Sequence, residues 1–254
     1  MSQHRLLFAC TIIAACFYCC RPANMQDRNP PAPGFDIKGS DHHAIIIADE
    51  VMEAMGGRVA WDSTRYLRWN FFGQRLYTWD KQTGDLRIES LPDSMIYLLN
   101  LHTMQGKVNS AGWVEVAPDS LARLLQSAKD LWIKDSYWLL MPFKLKDTGV
   151  TLKYQGQETQ PDGRIAYVLQ LTINNVVKPP SDKYLIFVDK HTKLVVQWAF
   201  FKNADQMEPD FTTPWAGYQR YGRILLSGDR GERRITDIQA PEVLPNGIFE
   251  SFVD

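Results

Sequence analysis

Residues 64–100 read TRYLRWNFFGQRLYTWDKQTGDLRIESLPDSMIYLLN. Near the start of this stretch Leu67, Trp69 and Phe71 alternate with Tyr66, Arg68 and Asn70. Period-two alternation is the mark of a strand with unlike faces, because successive side chains point to opposite sides of the pleat. Three more strand-like runs follow near 74–80, 85–90 and 94–100, separated by gaps of hairpin length. Strands in succession, with no helix between them, argue for antiparallel pairing. A parallel sheet needs a crossover of a dozen or more residues between neighbours.

Working outward, a further strand is expected near 108–116. Pro118-Asp119 then opens a helix to about Ile133, with Leu121, Leu124, Leu125, Ala128, Leu131 and Trp132 on one stripe. Pro142 breaks the next segment. More strands are expected near 150–155, 164–172, 184–189, 194–201, 218–227 and 233–239, which makes about 11 in all. Upstream, Asp41 is placed to cap a helix reaching Met55. Its stripe is Ala44, Ile45, Ala48, Val51, Met52 and Met55, and Gly56-Gly57 stops it. A turn around Trp61 leads into the first strand. Asp80-Lys81-Gln82-Thr83-Gly84 is echoed by Asp189-Lys190-His191-Thr192-Lys193. Each sits between strand-like runs and reads as an Asp-led hairpin, since Asp can bond its own backbone two residues on.

All four cysteines, Cys10, Cys16, Cys19 and Cys20, precede the body, so a disulfide framework is excluded there. His4 and Arg5 are followed by an apolar run from Leu6 to Ala15, too short to span a bilayer. Ile13-Ala14-Ala15-Cys16 matches a bacterial lipobox, in which Cys16 is acylated and becomes the new N-terminus. The alternative is a plain signal peptide with incidental cysteines. Residues 21–40, RPANMQDRNPPAPGFDIKGS, hold four prolines and few large apolar side chains. They read as a spacer that reaches roughly 60 Å when extended. The expected organisation is a signal over 1–15, a lipidated Cys16 with a tether to residue 40, and one domain over 41–254.

The 254 residues carry 28 Lys and Arg against 29 Asp and Glu, with 45% apolar content. Neither sign is in excess, so no nucleic-acid partner is expected, and the charge content excludes a polytopic membrane protein. No metal-spaced Cys/His set, no nucleophile elbow and no phosphate loop occurs, so no catalytic residue, metal or cofactor is expected. His42-His43 point apart on a helix, and His102 and His191 sit singly in turns. Asp205, Glu208 and Asp210 form an ordinary acidic loop. Residues 228–234, GDRGERR, read as a solvated hairpin. Apolar side chains crowd both faces of the run from Leu194 to Phe201. Leu194, Val196, Trp198 and Phe200 are expected on one face, and Val195, Ala199 and Phe201 on the other.

The signal, a first helix ending Met55-Gly56-Gly57, the Trp-rich antiparallel run, the middle helix and the Asp-Lys-x-Thr hairpin together resemble the LolA/LolB-type lipoprotein-carrier superfamily. Tyr137-Trp138-Leu139-Leu140-Met141-Pro142-Phe143-Lys144-Leu145 resembles the WLL-x-PF-x-L stretch of Bacteroidetes-type envelope lipoproteins. The resemblance implies a mainly β fold with helices (α+β): a strongly curved, unclosed half-barrel with helices in its concave mouth around an apolar cavity. It implies a non-enzymatic envelope lipoprotein that binds acyl chains of lipids or lipoproteins and is held to a membrane by its lipid anchor. Trp69, Phe71, Leu125, Trp132, Trp198 and Phe200 are the candidate lining of that cavity. Phe17 after the lipid cysteine supplies no Asp-type inner-membrane retention signal, so the expected location is the periplasmic face of the outer membrane. Two rival readings stand beside this one. The same fold with a filled core would be an interaction scaffold or sensor, and a third possibility is an envelope hydrolase.

Overall fold

A computed structural model describes residues 28–173 and 182–253. Cys16 and the lipobox lie outside the described residues. Among the described residues, fourteen strands and three α-helices follow one another. The helices are α1 (His42–Ala54), α2 (Arg58–Ser63) and α3 (Pro118–Leu140). The first strands are β1 (Tyr66–Phe71), β2 (Arg75–Asp80), β3 (Asp85–Ser90), β4 (Met95–Asn100), β5 (Gly106–Ser110) and β6 (Trp113–Val114). After α3 come β7 (Val150–Thr159), β8 (Ile165–Ile173), β9 (Lys183–Asp189), β10 (Val195–Phe201) and β11 (Phe211–Pro214). The last three are β12 (Ala216–Tyr221), β13 (Ile224–Arg230) and β14 (Arg233–Gln239).

Every strand pair is antiparallel, in two open sheets. One runs β12-β13-β14-β1-β2-β3-β4-β5-β6 and the other β11-β10-β9-β8-β7. The strand count exceeds the expected 11 for three local reasons. A turn at Ala111-Gly112 splits the 108–116 run into β5 and β6, and one at Gly222 splits the 218–227 run into β12 and β13. The short β11 has too little alternation to be read. Only Trp215 separates β11 from β12, so the chain passes there from the edge of one sheet to the edge of the other.

The Asp-led hairpins are built alike. Asp80 Oδ1 accepts the N–H groups of Gln82 (2.9 Å) and Thr83 (3.3 Å). Asp189 Oδ1 accepts those of His191 (3.0 Å) and Thr192 (2.7 Å). Asn100 makes a third copy, accepting from His102 and Thr103 at 3.0 Å each. In all three the fifth residue has positive φ: Gly84 at 81°, Lys193 at 60° and Met104 at 58°. Its N–H donates back to the carbonyl of the first residue at 2.9 Å.

β10 departs from the expected alternation. Its register to β9 shifts between Val195 and Gln197, a bulge that turns the strand over by one residue. Val195 therefore faces the main core with Trp198, and Val196 joins Ala199 and Phe201 in a second apolar cluster with Ala166, Val168 and Phe187.

The expected stripe of α1 is buried, and Met55 lies at its end with 0% exposure. Asp41 does not cap the helix. Its carboxylate instead accepts the Tyr154 N–H and pairs with Lys153, both at 3.0 Å, so it ties α1 to β7. These contacts, the Tyr154 N–H foremost, hold the Asp41 carboxyl below its ordinary value. α3 runs to Leu140, about two turns past the expected Ile133. The extra turns carry Asp135, whose Oδ2 accepts from Arg75 Nε and from Tyr77 Oη at 2.6 Å each. That polar clamp fixes the helix on the nine-stranded sheet. Near its start α3 approaches the sheet over Gly106. A Cβ there would sit 2.2 Å from the Leu98 carbonyl oxygen and 3.0 Å from Leu125.

The second half of the expected tether belongs to the fold. Phe35 is buried, the Ala32 N–H donates to Lys146 O, and the Asp36 N–H donates to Val150 O. Asn29 Nδ2 donates to Asp49 Oδ1 at 2.8 Å, beside the buried Lys146–Asp49 ion pair. Proline richness marked this segment as unable to nucleate a core, but it can still lie along one already formed. At the other terminus, Arg87 Nη1 donates to the carbonyls of Ile248 (3.3 Å) and Ser251 (2.7 Å), which lays the C-terminal tail over the outer side of β3.

Candidate functional site: an aromatic cleft between α3 and the five-stranded sheet

The register of the five-stranded sheet brings aromatic side chains together from three strands. Phe200 on β10 pairs with Tyr184 on β9 and with Phe211 on β11. Trp198, two residues back on the same face, stacks with Tyr184 at 5.4 Å between centroids. Phe200 stacks with Phe211 at 5.2 Å. From α3, Trp138 stacks on Phe211 at 5.1 Å and meets Trp198 edge-on at 5.0 Å, and Tyr137 stacks on Tyr184 at 5.8 Å. Such offset and T-shaped pairs suit the quadrupoles of the rings. They also leave space between helix and sheet, a cleft of about 610 Å³. That lies within the range of roughly 300–1,000 Å³ typical of small-molecule sites.

The cleft is held by buried polar contacts. Trp198 Nε1 donates to Thr213 Oγ1 at 2.7 Å, which pins β10 to β11. Arg230 was expected in a solvated hairpin. Instead it is 2% exposed, and its Nε and Nη2 donate to the Trp138 carbonyl near the C-terminal end of α3. A guanidinium suits that end of a helix, where carbonyls lack intrahelical donors. Burial lowers its pKa to about 9, and it lies 3.5 Å over the Trp215 ring. Trp215 in turn meets Trp198 edge-on at 5.4 Å. The turn of the last hairpin therefore positions two walls of the cleft.

Lys134, Lys144, Lys202, Asp147 and Asp182 supply charge. Lys144 is ion-paired with Asp147. Burial pushes the Asp182 carboxyl above its ordinary value, and Lys134 opposes that shift. Burial also raises the Tyr137 and Tyr184 phenols, so both hydroxyls stay neutral near pH 7. Among the described residues no histidine, cysteine or serine lines the cleft. Among the described residues no group of three or more His, Cys, Asp or Glu is placed to hold a metal ion, and no helix is long and apolar enough to cross a membrane. Six rings, those of Tyr137, Trp138, Tyr184, Trp198, Phe200 and Phe211, offer apolar surface against which a ligand could be buried.

Of the six candidate lining residues, Trp198 and Phe200 line the cleft. The other four pack elsewhere. Trp69, 1% exposed, stacks on Tyr77 at 4.8 Å. Phe71 packs on Phe72 at 4.1 Å, Leu125 is buried over Gly106, and Trp132 meets Trp79 edge-on at 5.0 Å. The rings that complete the cleft, Tyr137, Trp138, Tyr184 and Phe211, were missed. The first two stand in the YWLLMPFKL stretch, and the other two become visible only once the strand register pairs them with Phe200.

No protein-family model matches the chain, and no curated protein matches it. Among solved structures, a DUF1329 family protein from Desulfovibrio piger aligns with 82% of this chain and 97% of its own, at 13% identity and a TM-score of 0.44. A protein domain from Vibrio parahaemolyticus, described as of outer membrane lipoprotein-sorting type, aligns with 82% of this chain and 96% of its own, at 9% identity and a TM-score of 0.42. MucB, in complex with the periplasmic part of MucA, aligns with 80% of this chain and 66% of its own, at 15% identity and a TM-score of 0.22.

Proposed function

We propose that this chain is a non-enzymatic binding protein of the cell envelope, tethered to a membrane through acylated Cys16, that takes acyl chains of lipids or lipoproteins into the cleft beneath α3. The aromatic cleft carries this reading. Six aromatic rings wall it beside five charged side chains, and each methylene buried among the rings contributes about 0.8 kcal/mol. In this reading the two sheets, joined across Trp215, form one curved and unclosed wall with α3 lying in its mouth. The anchor would be on the periplasmic side of the outer membrane, with residues 16–28 as the remaining spacer.

The test uses the Cys16→Ser chain, which retains every described residue. It should bind the neutral fluorophore N-phenyl-1-naphthylamine saturably while folded and release it to fatty acid or lipopeptide. Phe200→Asp places a charge on the wall and should weaken binding about ten-fold. A folded protein with no saturable binding would leave the interaction-scaffold reading in its place. In cells, the same Cys16→Ser change should abolish palmitate labelling and release the protein from membranes.

A further inference from the structure

We infer that the occupant of the cleft is an acyl chain bearing a negatively charged group, and that Lys134 and Lys202 receive the charge. This deepens the acyl-binding reading and rests on it. The charges of the cleft are unevenly matched. Lys144 is neutralised by Asp147. Lys134 and Lys202 both line the cleft, and neither has a carboxylate within ion-pair distance among the described residues. Elsewhere in the fold Lys146 pairs with Asp49, Lys153 with Asp41 and Lys193 with Glu50, while Lys81 and Lys183 donate to backbone carbonyls.

The two unpaired lysines lie at one end of the cleft. Phe201 pairs with Lys183 across β9 and β10, so the next residues outward, Lys202 and Asp182, share that end. Lys134 acts electrostatically on Asp182 from α3. Two ammonium groups therefore face a single carboxylate. Burial raises that carboxyl's pKa and so disfavours its charge. The surplus is positive and sits beside an aromatic wall. A lysine stem can lie along apolar surface while its ammonium meets an anion at the mouth. An anionic amphiphile satisfies both features, with its chain among Trp198, Phe200 and Phe211 and its head at Lys134 and Lys202. A neutral acyl glycerol satisfies only the first. A fatty acid and an anionic phospholipid share this chemistry.

The experiment displaces N-phenyl-1-naphthylamine from the Cys16→Ser chain with ligands of one acyl length. These are palmitate, palmitoyl lysophosphatidylglycerol, palmitoyl lysophosphatidylcholine and monopalmitoylglycerol. The anionic pair should displace the fluorophore at concentrations about five- to ten-fold lower than the neutral ester. The stronger of the two anions names the source, free acid or phospholipid. Lys134→Gln combined with Lys202→Gln changes only exposed side chains. It should erase the preference, read as the ratio of anionic to neutral displacement within the variant itself. Asp182→Asn should enlarge the preference. Equal displacement by neutral and anionic ligands, or a preference indifferent to both the lysine and the aspartate changes, overturns the inference and leaves the acyl-binding reading standing. A wild type that binds no fluorophore and no lipid overturns both.

Discussion

Two aromatic regions face α3, one filled and the other open. Toward the nine-stranded sheet, Leu125 descends over Gly106 and Trp132 meets Trp79 edge-on at 5.0 Å, beside strands on which Trp69 and Tyr77 already stack. Gly106 removes the side chain that would hold the helix off, and Asp135 clamps it to Arg75 and Tyr77. Toward the five-stranded sheet the helix instead presents Tyr137 and Trp138. Their rings meet Tyr184, Trp198 and Phe211 face-on or edge-on and leave a cleft of about 610 Å³. Both regions are rich in large apolar residues, so composition alone does not separate core from cavity. Backbone approach separates them. Where a glycine and a buried salt bridge draw helix and sheet together the space closes, and beyond them, at Tyr137 and Trp138, it stays open.

The largest expected effect tests the clamp. Asp135→Ala leaves Arg75 and Tyr77 without their shared acceptor in a buried site and should cost about 3 kcal/mol or more, read by urea denaturation. Leu125→Asp should cost a comparable amount by placing an unpaired charge over Gly106. Normal stability in either variant would mean that α3 is not docked as described. Next comes the contrast itself. Trp69→Ala should cost about 3–5 kcal/mol, as for a fully packed aromatic. Phe200→Ala, on a cleft wall, should cost roughly 1–2 kcal/mol and mainly weaken the fluorophore. If the two changes destabilise equally, the cleft is core and the distinction between the regions fails. The smallest effect compares the two sheets through their matched hairpins. Asp80→Ala and Asp189→Ala each remove a carboxylate that accepts two backbone N–H groups and should cost about 0.5–2 kcal/mol. Asp80 also receives Arg65 Nη2 at 2.8 Å, closer than the 3.3 Å from Arg164 to Asp189, so its loss should be the larger by thermal melting.

Asp80 and Asp189 also have a pH signature. Their backbone N–H bonds and the facing arginines outweigh desolvation and hold both carboxyls below their ordinary values. Each therefore contributes stability that is present above the usual carboxylate range and is lost as pH falls through the lowered value. Acid titration of the melting temperature should show that loss, and the double variant Asp80→Asn/Asp189→Asn should flatten it.

The residue pattern alone determined a good deal about this protein. Alternation at Leu67, Trp69 and Phe71 specified β1, the Gly56-Gly57 pair specified where α1 ends, and the Asp-Lys-x-Thr echo specified two hairpins of one build. These are local features, set by pleat geometry, helix termination and side-chain bonds to neighbouring backbone. Other features depend on partners far along the chain, and only the tertiary structure decided them. The extra turns of α3 rest on Asp135 meeting Arg75 and Tyr77, some 60 and 58 residues away. The bulge at Val196 swapped the faces of β10, residues 29–40 found a surface to lie on, and Arg230 left solvent for the Trp138 carbonyl. Which aromatic residues fill a core and which line a cleft belongs to this second group. A ring in a strand carries the same alternation in both cases, and what differs is how closely the opposing helix is drawn in.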